Sequence, residues 1–234
     1  MNVVILQPSY IPWRGYFDQI RRADLFIFYD DVQYDKRGWR NRNQIKTPRG
    51  KQWLSIPVYS RGAQTQNILI NQIRVVWDEP WNETHLKAIS HSYGKAPHFE
   101  RYRTLLDAFY GRHDEFLADF TIDFTVALAR ELGNAQTRFL RSSQIPGISG
   151  QKTDRLIQIL QAVGATHYIS GPSASDYIEQ EKFAAAGITL EYMEYNYPEY
   201  PQLYPPFDPY VSILDLLFMA GPEASSYLPT GDHV

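Results

Sequence analysis

Short apolar runs alternate with amphipathic stretches along this chain. Runs typical of buried strands occur at residues 3–6, 25–29, 137–140, 166–170 and 188–192. Between several of them the apolar residues recur at helical spacing, as Leu156, Leu160 and Val163 do before Gly164. Strands that alternate with helices favour a parallel sheet that is covered on both faces. We therefore predict an α/β, Rossmann-like fold in which these runs form one mostly parallel sheet with helices on both faces.

The region between the second and third runs predicts an insertion. Strand-like patterns at 53–58 and 67–76, joined by the polar loop 60–66, predict a β-hairpin. Helical patterns lie at residues 81–92, 100–110, 113–132, 153–163, 175–186 and 213–220. No internal repeat or long linker divides the chain. The sequence predicts a single α/β domain over residues 1–234, with a hairpin and helical insertion at about 53–133.

Composition narrows the classes of function. The net charge of -3 argues against general affinity for nucleic acid or for an anionic membrane. The absence of cysteine excludes disulfides, Cys-ligated zinc and a thiol nucleophile, and the six histidines show no metal-ligand spacing, so no zinc site is predicted. No apolar run is long enough for a membrane span. We expect a cytoplasmic protein with a small-molecule ligand.

The loop after the first strand carries the first candidate ligand residues. It combines Gln7, Tyr10 and Trp13 with two prolines and a glycine, and it leads into a helix. In α/β folds the loop that leaves such a strand faces the ligand crevice. Tyrosine and tryptophan combine stacking surface with a polar group, which suits sugars and bases. The alternative is a structural turn that is packed by its own aromatic rings.

A dense polar segment follows the second strand. Asp30 and Asp31 lie at its expected carboxyl end, where carboxylates could act as a base or hold Mg²⁺. The residues after them could bind a phosphate or a substrate carboxylate: Gln33, Lys36, Arg37, Asn41 and Arg42. The alternative is a solvated charged loop held by ion pairs.

Three further segments carry candidate binding residues. Lys152 and Thr153 begin a helix, where backbone N–H groups favour an anion, although Gln at 151 excludes a P-loop and N-capping by Ser149 or Thr153 is an equal alternative. After another strand come Ser170, Gly171 and Ser173. The irregular, tyrosine-rich residues 192–210 predict a lid or a surface wrap, with Gln202 as a candidate ligand.

These segments together resemble the WbqC-like family. The matching motifs are Gln7-Pro8-x-Tyr10-x-Pro12-Trp13, Asp30-Asp31-Val32-Gln33-Tyr34-x-Lys36-Arg37-Gly38-Trp39-x-Asn41-Arg42, Lys152-Thr153-Asp154-Arg155-Leu156, Tyr168-Ile169-Ser170-Gly171 and Tyr200-Pro201-Gln202. The resemblance implies a role in polysaccharide or O-antigen synthesis, with acyl or aminoacyl transfer to a nucleotide- or lipid-linked amino sugar.

Two functions remain open at this point. In the first, the chain is a transferase with a sugar-nucleotide ligand, Asp30 or Asp31 acts as base or metal ligand, and the cationic residues hold phosphates. In the second, it is a non-catalytic binding or scaffold protein of a glycan assembly complex. The cofactor is left open, with Mg²⁺ as a candidate. Because parallel strands direct their carboxyl ends to one edge, one crevice is predicted to be lined by Gln7, Tyr10, Asp30, Asp31, Arg37, Asn41, Arg42 and Lys152.

Overall fold

Five parallel strands form the central sheet of the chain, of which the computed structural model describes residues 1–176 and 178–228. The described part of the chain has seven strands in all, numbered in chain order: β1 (Asn2–Leu6), β2 (Leu25–Phe28), β3 (Arg42–Thr47), β4 (Gly50–Ser55), β5 (Arg138–Arg141), β6 (His167–Ser170) and β7 (Thr189–Tyr192). The sheet has the order β5-β2-β1-β6-β7, and β3 and β4 form a separate antiparallel hairpin. The predicted α/β fold and its five sheet strands are confirmed.

Seven α-helices surround the sheet or build the insertion in the described part of the chain. They are α1 (Arg14–Arg22), α2 (Trp81–Tyr93), α3 (Phe99–Tyr110), α4 (Leu117–Glu131), α5 (Lys152–Ala162), α6 (Gln180–Ala185) and α7 (Ile213–Ala220). Within residues 1–176 and 178–228, none of them has both the length and the apolar character needed to cross a bilayer.

Alternating residues of β1 pack against opposite faces of the sheet. Val3 and Ile5 belong to one hydrophobic cluster, which contains α5, and Val4 belongs to the other, which contains Phe17 of α1. This alternation follows from the period of two along a strand. Within the sheet, β2 pairs with one edge of β1 and β6 with the other. The carboxyl edge between β1 and β6 is therefore a topological switch point, where the strand order reverses direction.

The hairpin lies earlier in the chain than predicted. Strands were expected at 53–58 and 67–76, but the observed pair is β3 with β4, in a register that runs from Arg42–Ser55 to Thr47–Gly50. Residues 67–76 instead contain a 3-10 turn, Ile70–Gln72, and form only isolated bridges. Gly50 permits the tight turn because its φ is +101°. Arg42, which was predicted to bind a ligand from the polar segment after β2, thus belongs to strand β3.

Other element boundaries differ locally. Helix α4 begins at Leu117 rather than at residue 113, and the helix predicted over 175–186 is a 3-10 turn, Pro172–Asp176, followed by the shorter α6. Neither predicted cap of α5 is present, because the N-cap is Gln151 without a side-chain hydrogen bond. Thr153 Oγ1 instead accepts a hydrogen bond from the Glu179 N–H. Residues 192–210 are irregular, as expected.

Candidate functional site

A cavity of about 950 Å³ opens at the carboxyl edge between β1 and β6. Its floor is formed by the ends of these strands and by Gln7 and Ser9 of the loop that follows β1. Tyr29 contributes from the end of β2, and Gly171 and Ser173 follow β6. The volume lies within the usual range for small-molecule sites, and the position is where open α/β sheets bind ligands.

The hairpin and the irregular segment near the C-terminus form the remaining walls. Ile45 and Leu54 of the hairpin are buried in the core, whereas Gln44 and Lys51 line the cavity. Tyr195 and Tyr210 belong to the predicted lid segment and line the cavity from the opposite end of the chain. The hairpin therefore contributes apolar side chains to the core and polar side chains to the cavity.

The position of Trp13 depends on a glycine two residues later. The indole lies over Gly15, where a Cβ would be 2.3 Å from the Trp13 ring. Another neighbour is Tyr195, whose ring centroid is 5.0 Å away in an edge-to-face contact. Gln19 Nε2 donates to the Tyr195 hydroxyl at 2.9 Å. These contacts fix an aromatic wall that is supplied by both the first loop and the C-terminal segment.

All charged side chains that line the cavity in the described part of the chain are cationic: Arg40, Lys51 and Lys152. Arg40 Nη1 donates to the Pro8 carbonyl, but its Nε is shielded from solvent and has no partner. Burial lowers the pKa of the Arg40 guanidinium, which nevertheless stays charged because arginine does not deprotonate in proteins. Lys51 pairs with Asp208 at 3.0 Å. Arg40 and Lys152 therefore give the cavity a positive charge that no lining carboxylate offsets, which favours an anionic ligand.

Lys152 combines this charge with an unusual backbone conformation. It is exposed, makes no ion pair with a described residue, and has a φ of +50° at the first position of α5. Left-handed backbone is costly for a residue with a Cβ, and such strain concentrates at functional sites. The uncapped N-terminus of α5 adds the positive end of the helix dipole at this point of the cavity.

Asn43 holds the first loop in its conformation. Ile11 has a φ of +37°, which is rare for a β-branched residue. Asn43 Nδ2 donates to the carbonyl oxygens of Tyr10 and Ile11 at 3.1 and 2.9 Å. Asn43 also lines the cavity. Its side chain therefore both holds the loop after β1 and forms part of the cavity wall.

Asn43→Ala is expected to lower the free energy of unfolding by about 2 kcal/mol, since it leaves two buried carbonyl groups without their donor. Urea denaturation measures this change. Gln44→Ala is the matched control, because the Gln44 side chain makes no hydrogen bond in the described structure, and we expect a change of less than about 0.5 kcal/mol. Equal losses in both variants would contradict the role of the Asn43 amide in holding the loop.

Five of the predicted ligand residues line the cavity: Gln7, Trp13, Lys152, Gly171 and Ser173. Of the eight residues predicted to line one crevice, only Gln7 and Lys152 do so, and the other six point elsewhere. Tyr10 is fully buried, with its hydroxyl 2.8 Å from His85 Nδ1 and 2.5 Å from the Tyr110 hydroxyl. Burial lowers the pKa of His85 to about 4, so this cluster is neutral at pH 7.

Asp30 and Asp31 lie beside β5 rather than in the cavity. Asp30 is fully buried, and its carboxylate accepts hydrogen bonds from the Ser143 N–H and Oγ at 3.1 and 2.9 Å. Asp31 forms an ion pair with Arg155 at 2.6 Å and accepts from Ser142 Oγ at 2.5 Å. Both carboxylates therefore have protein partners that join the ends of neighbouring strands.

The other candidates of the polar segment also lie outside the cavity lining. Asn41 donates to the Ile56 carbonyl, and Gln33 donates to Gln64 and Asn67. Arg42 donates to the Arg37 carbonyl and stacks 4.7 Å from the centre of the Trp53 ring. Lys36 and Arg37 are exposed. This segment mainly builds the hairpin and its approach.

Three later candidates are engaged in packing. Thr153 is fully buried and Ser170 is nearly so, and neither lines the cavity. Gln202 Oε1 accepts from Lys46 Nζ and from the Asp208 N–H, which orders the C-terminal segment. The sequence analysis missed Arg40, Lys51, Tyr195 and Tyr210. Arg40 lies within the polar run, but nothing in the sequence separates it from Arg37 or Arg42.

The donor set does not suit a metal held by the protein alone. Among residues 1–176 and 178–228 no group of three or more His, Asp or Glu side chains is placed to hold an ion. The cavity wall offers amide and hydroxyl oxygens. The carboxylates predicted as Mg²⁺ ligands, Asp30 and Asp31, are bound to serines and to Arg155.

Comparison with known proteins shows which family the chain belongs to. The sequence profile of the WbqC-like protein family matches residues 7–227. The chain belongs to this family. The matched region includes every polar residue of the cavity wall.

A relative of this WbqC-like chain is the uncharacterized protein Rv1507c of Mycobacterium tuberculosis (strain ATCC 25618 / H37Rv). The two are 40% identical over 229 residues, which cover 97% of each chain. No solved structure matches the chain. The family resemblance drawn from the motifs is confirmed, and the relative's name supplies no activity.

Proposed function

We propose that this WbqC-like chain is a transferase that binds a nucleotide-linked amino sugar in the cavity between β1 and β6. The observation that carries the proposal is a cavity of about 950 Å³ at a topological switch point whose charged lining residues are all cationic. A diphosphate group presents the complementary charge, and arginine and lysine are common phosphate ligands. The aromatic wall around Trp13 and Tyr195 supports a ligand with flat apolar faces, such as a sugar or a base.

The transfer we propose moves an acyl or aminoacyl group to the amine of that sugar. The amine nitrogen forms a bond to the carbonyl carbon of an activated acyl ester, the ester C–O bond breaks, and the amine proton passes to the departing oxygen. In this scheme Arg40 and Lys152 hold phosphate, and Gln7 and Ser9 orient the sugar. Asp30 and Asp31 support the strand ends and touch no substrate. The pathway remains the proposed synthesis of polysaccharide or O-antigen.

A ligand screen by thermal shift tests the proposal. UDP- and dTDP-linked amino sugars should raise the melting temperature, and a ligand at 100 times its Kd should add about 2.7 kcal/mol to the free energy of unfolding. The same amino sugars without phosphate serve as the control and should give a much smaller shift. Runs with and without Mg²⁺ test whether the ion enters with the phosphates. No shift with any phosphorylated compound would contradict the proposal.

One observation favours the second function, a non-catalytic binding protein of a glycan assembly complex. The described cavity wall contains no carboxylate or histidine that could act as an acid or base near pH 7. If sugar nucleotides bind but no transfer occurs with any activated acyl donor, the binding function replaces the transferase.

A further inference from the structure

Two of the exposed aromatic side chains line the cavity. The large hydrophobic residues that are exposed in the described part of the chain are Trp39 at 47%, Trp53 at 44%, Tyr59 at 55% and Tyr210 at 68%. The centroids of Trp39 and Trp53 are 5.3 Å apart, and the planes of the rings differ by 30°. The Tyr210 ring lies 5.9 Å from Lys51 Nζ. Trp39 and Tyr210 line the cavity, whereas Trp53 and Tyr59 do not.

The hairpin explains why aromatic and cationic groups meet there. Gln44 lies opposite Trp53 across the two strands, and Lys46 lies opposite Lys51. Directly opposed residues of an antiparallel pair share a face, and so do residues two apart on one strand. Lys51 and Trp53 therefore project from the same face as Gln44, which lines the cavity. The opposite face carries Leu54 into the core.

The residues that line the cavity differ in their exposure to solvent. Trp39 and Tyr210 are 47% and 68% exposed, and 33% of the Lys51 side chain is accessible. Deeper in the site Arg40 Nε is shielded from solvent, and Ser9 at the edge of the sheet is 5% exposed. Among these five residues exposure thus falls from the aromatic rings through the cations to the Ser9 hydroxyl, although the lining residues Lys152 and Ser173 are also exposed. A nucleoside diphosphate sugar has the matching order of base, phosphates and sugar.

We propose that Trp39 and Tyr210 form a stacking subsite for the nucleobase of a nucleoside diphosphate, with Lys51 beside the phosphates. Trp53 packs against the Trp39 ring, and the Arg42 guanidinium lies over Trp53. Stacking on aromatic side chains tolerates different bases, because every base has a π-face. The subsite rests on the proposed function, since it assigns the base end of the ligand whose phosphates bind the cations.

Calorimetric titration of the intact chain with UDP and with inorganic diphosphate tests the subsite. Wild type should bind UDP about five- to hundredfold more tightly than diphosphate, the range expected from stacking one base. Trp39→Ala and Tyr210→Ala should each weaken UDP binding at least about fivefold and leave diphosphate binding unchanged. Trp39→Phe keeps a stacking face and should restore most of the UDP affinity.

Tyr59→Ala is the matched control, because Tyr59 is as exposed as the subsite rings but does not line the cavity. It should change neither affinity. Unchanged UDP affinity in both subsite variants, with diphosphate still bound, would overturn the subsite and leave the proposed function intact. An equal loss of UDP and diphosphate affinity would also overturn it, since the rings would then only maintain the cavity. If wild type bound neither probe, both proposals would fail.

Discussion

Asp30→Ala is expected to lower the free energy of unfolding by about 3 kcal/mol. The carboxylate is fully buried and accepts from the N–H and the hydroxyl of Ser143. Ser142 Oγ carries one hydrogen, and its shorter contact is to Asp31, so Ser143 supplies the donors that Asp30 depends on. Each hydrogen bond to a charged group contributes about 1.5–3 kcal/mol, and alanine would remove the acceptor of both Ser143 donors. Urea denaturation measures the loss.

Asp78→Ala is the matched control for this prediction. Asp78 is exposed and makes no hydrogen bond or ion pair in the described structure, so its replacement should change stability by less than about 0.5 kcal/mol. The ligand affinity that Asp30→Ala retains while folded should equal that of wild type, because Asp30 does not line the cavity. Wild-type stability together with lost ligand binding would instead support the catalytic role predicted from the sequence.

Lys152→Gly should separate stability from binding. Glycine adopts the observed φ of +50° without the cost of a Cβ, which is about 1–2 kcal/mol for other residues, although it adds about 0.5–1 kcal/mol of backbone entropy on unfolding. We therefore expect stability to stay the same or to rise by up to about 1 kcal/mol. Affinity for a sugar nucleotide should fall about ten- to a hundredfold, because a charge-assisted hydrogen bond is lost.

Two further variants sharpen the comparison. Lys152→Asn also tolerates left-handed backbone and removes the charge, so it should lose affinity as Lys152→Gly does. Lys36→Ala removes the same charge from an exposed loop outside the cavity and should leave affinity nearly unchanged, since salt screens distant surface charges. If Lys36→Ala and Lys152→Gly lost affinity equally, the loss would come from the change in net charge and not from a contact between Lys152 and the ligand.

Neighbouring residues with similar chemistry have different positions in the fold, and this limited the prediction of the site. Tyr29 lines the cavity, but the next residue, Asp30, turns towards Ser143 beyond β5. In the polar run Arg40 reaches the cavity, while the equally basic Arg37 remains exposed. A sequence records which side chains are present, but the direction of each depends on strand register and on partners far along the chain.

The sequence by itself determined the parallel sheet, because the central strands β1 and β2 are short apolar runs and the strand patterns alternate with helical ones along the chain. It also determined that the loop after β1 would reach the ligand edge, which brings Gln7 and Trp13 to the cavity. Only the tertiary structure decided the remaining walls. Lys51 and Tyr210 are distant in sequence, and they line one cavity only because the hairpin and the C-terminal segment fold over the same edge of the sheet. Such long-range packing leaves no local periodic pattern, so sequence periodicity could not predict it.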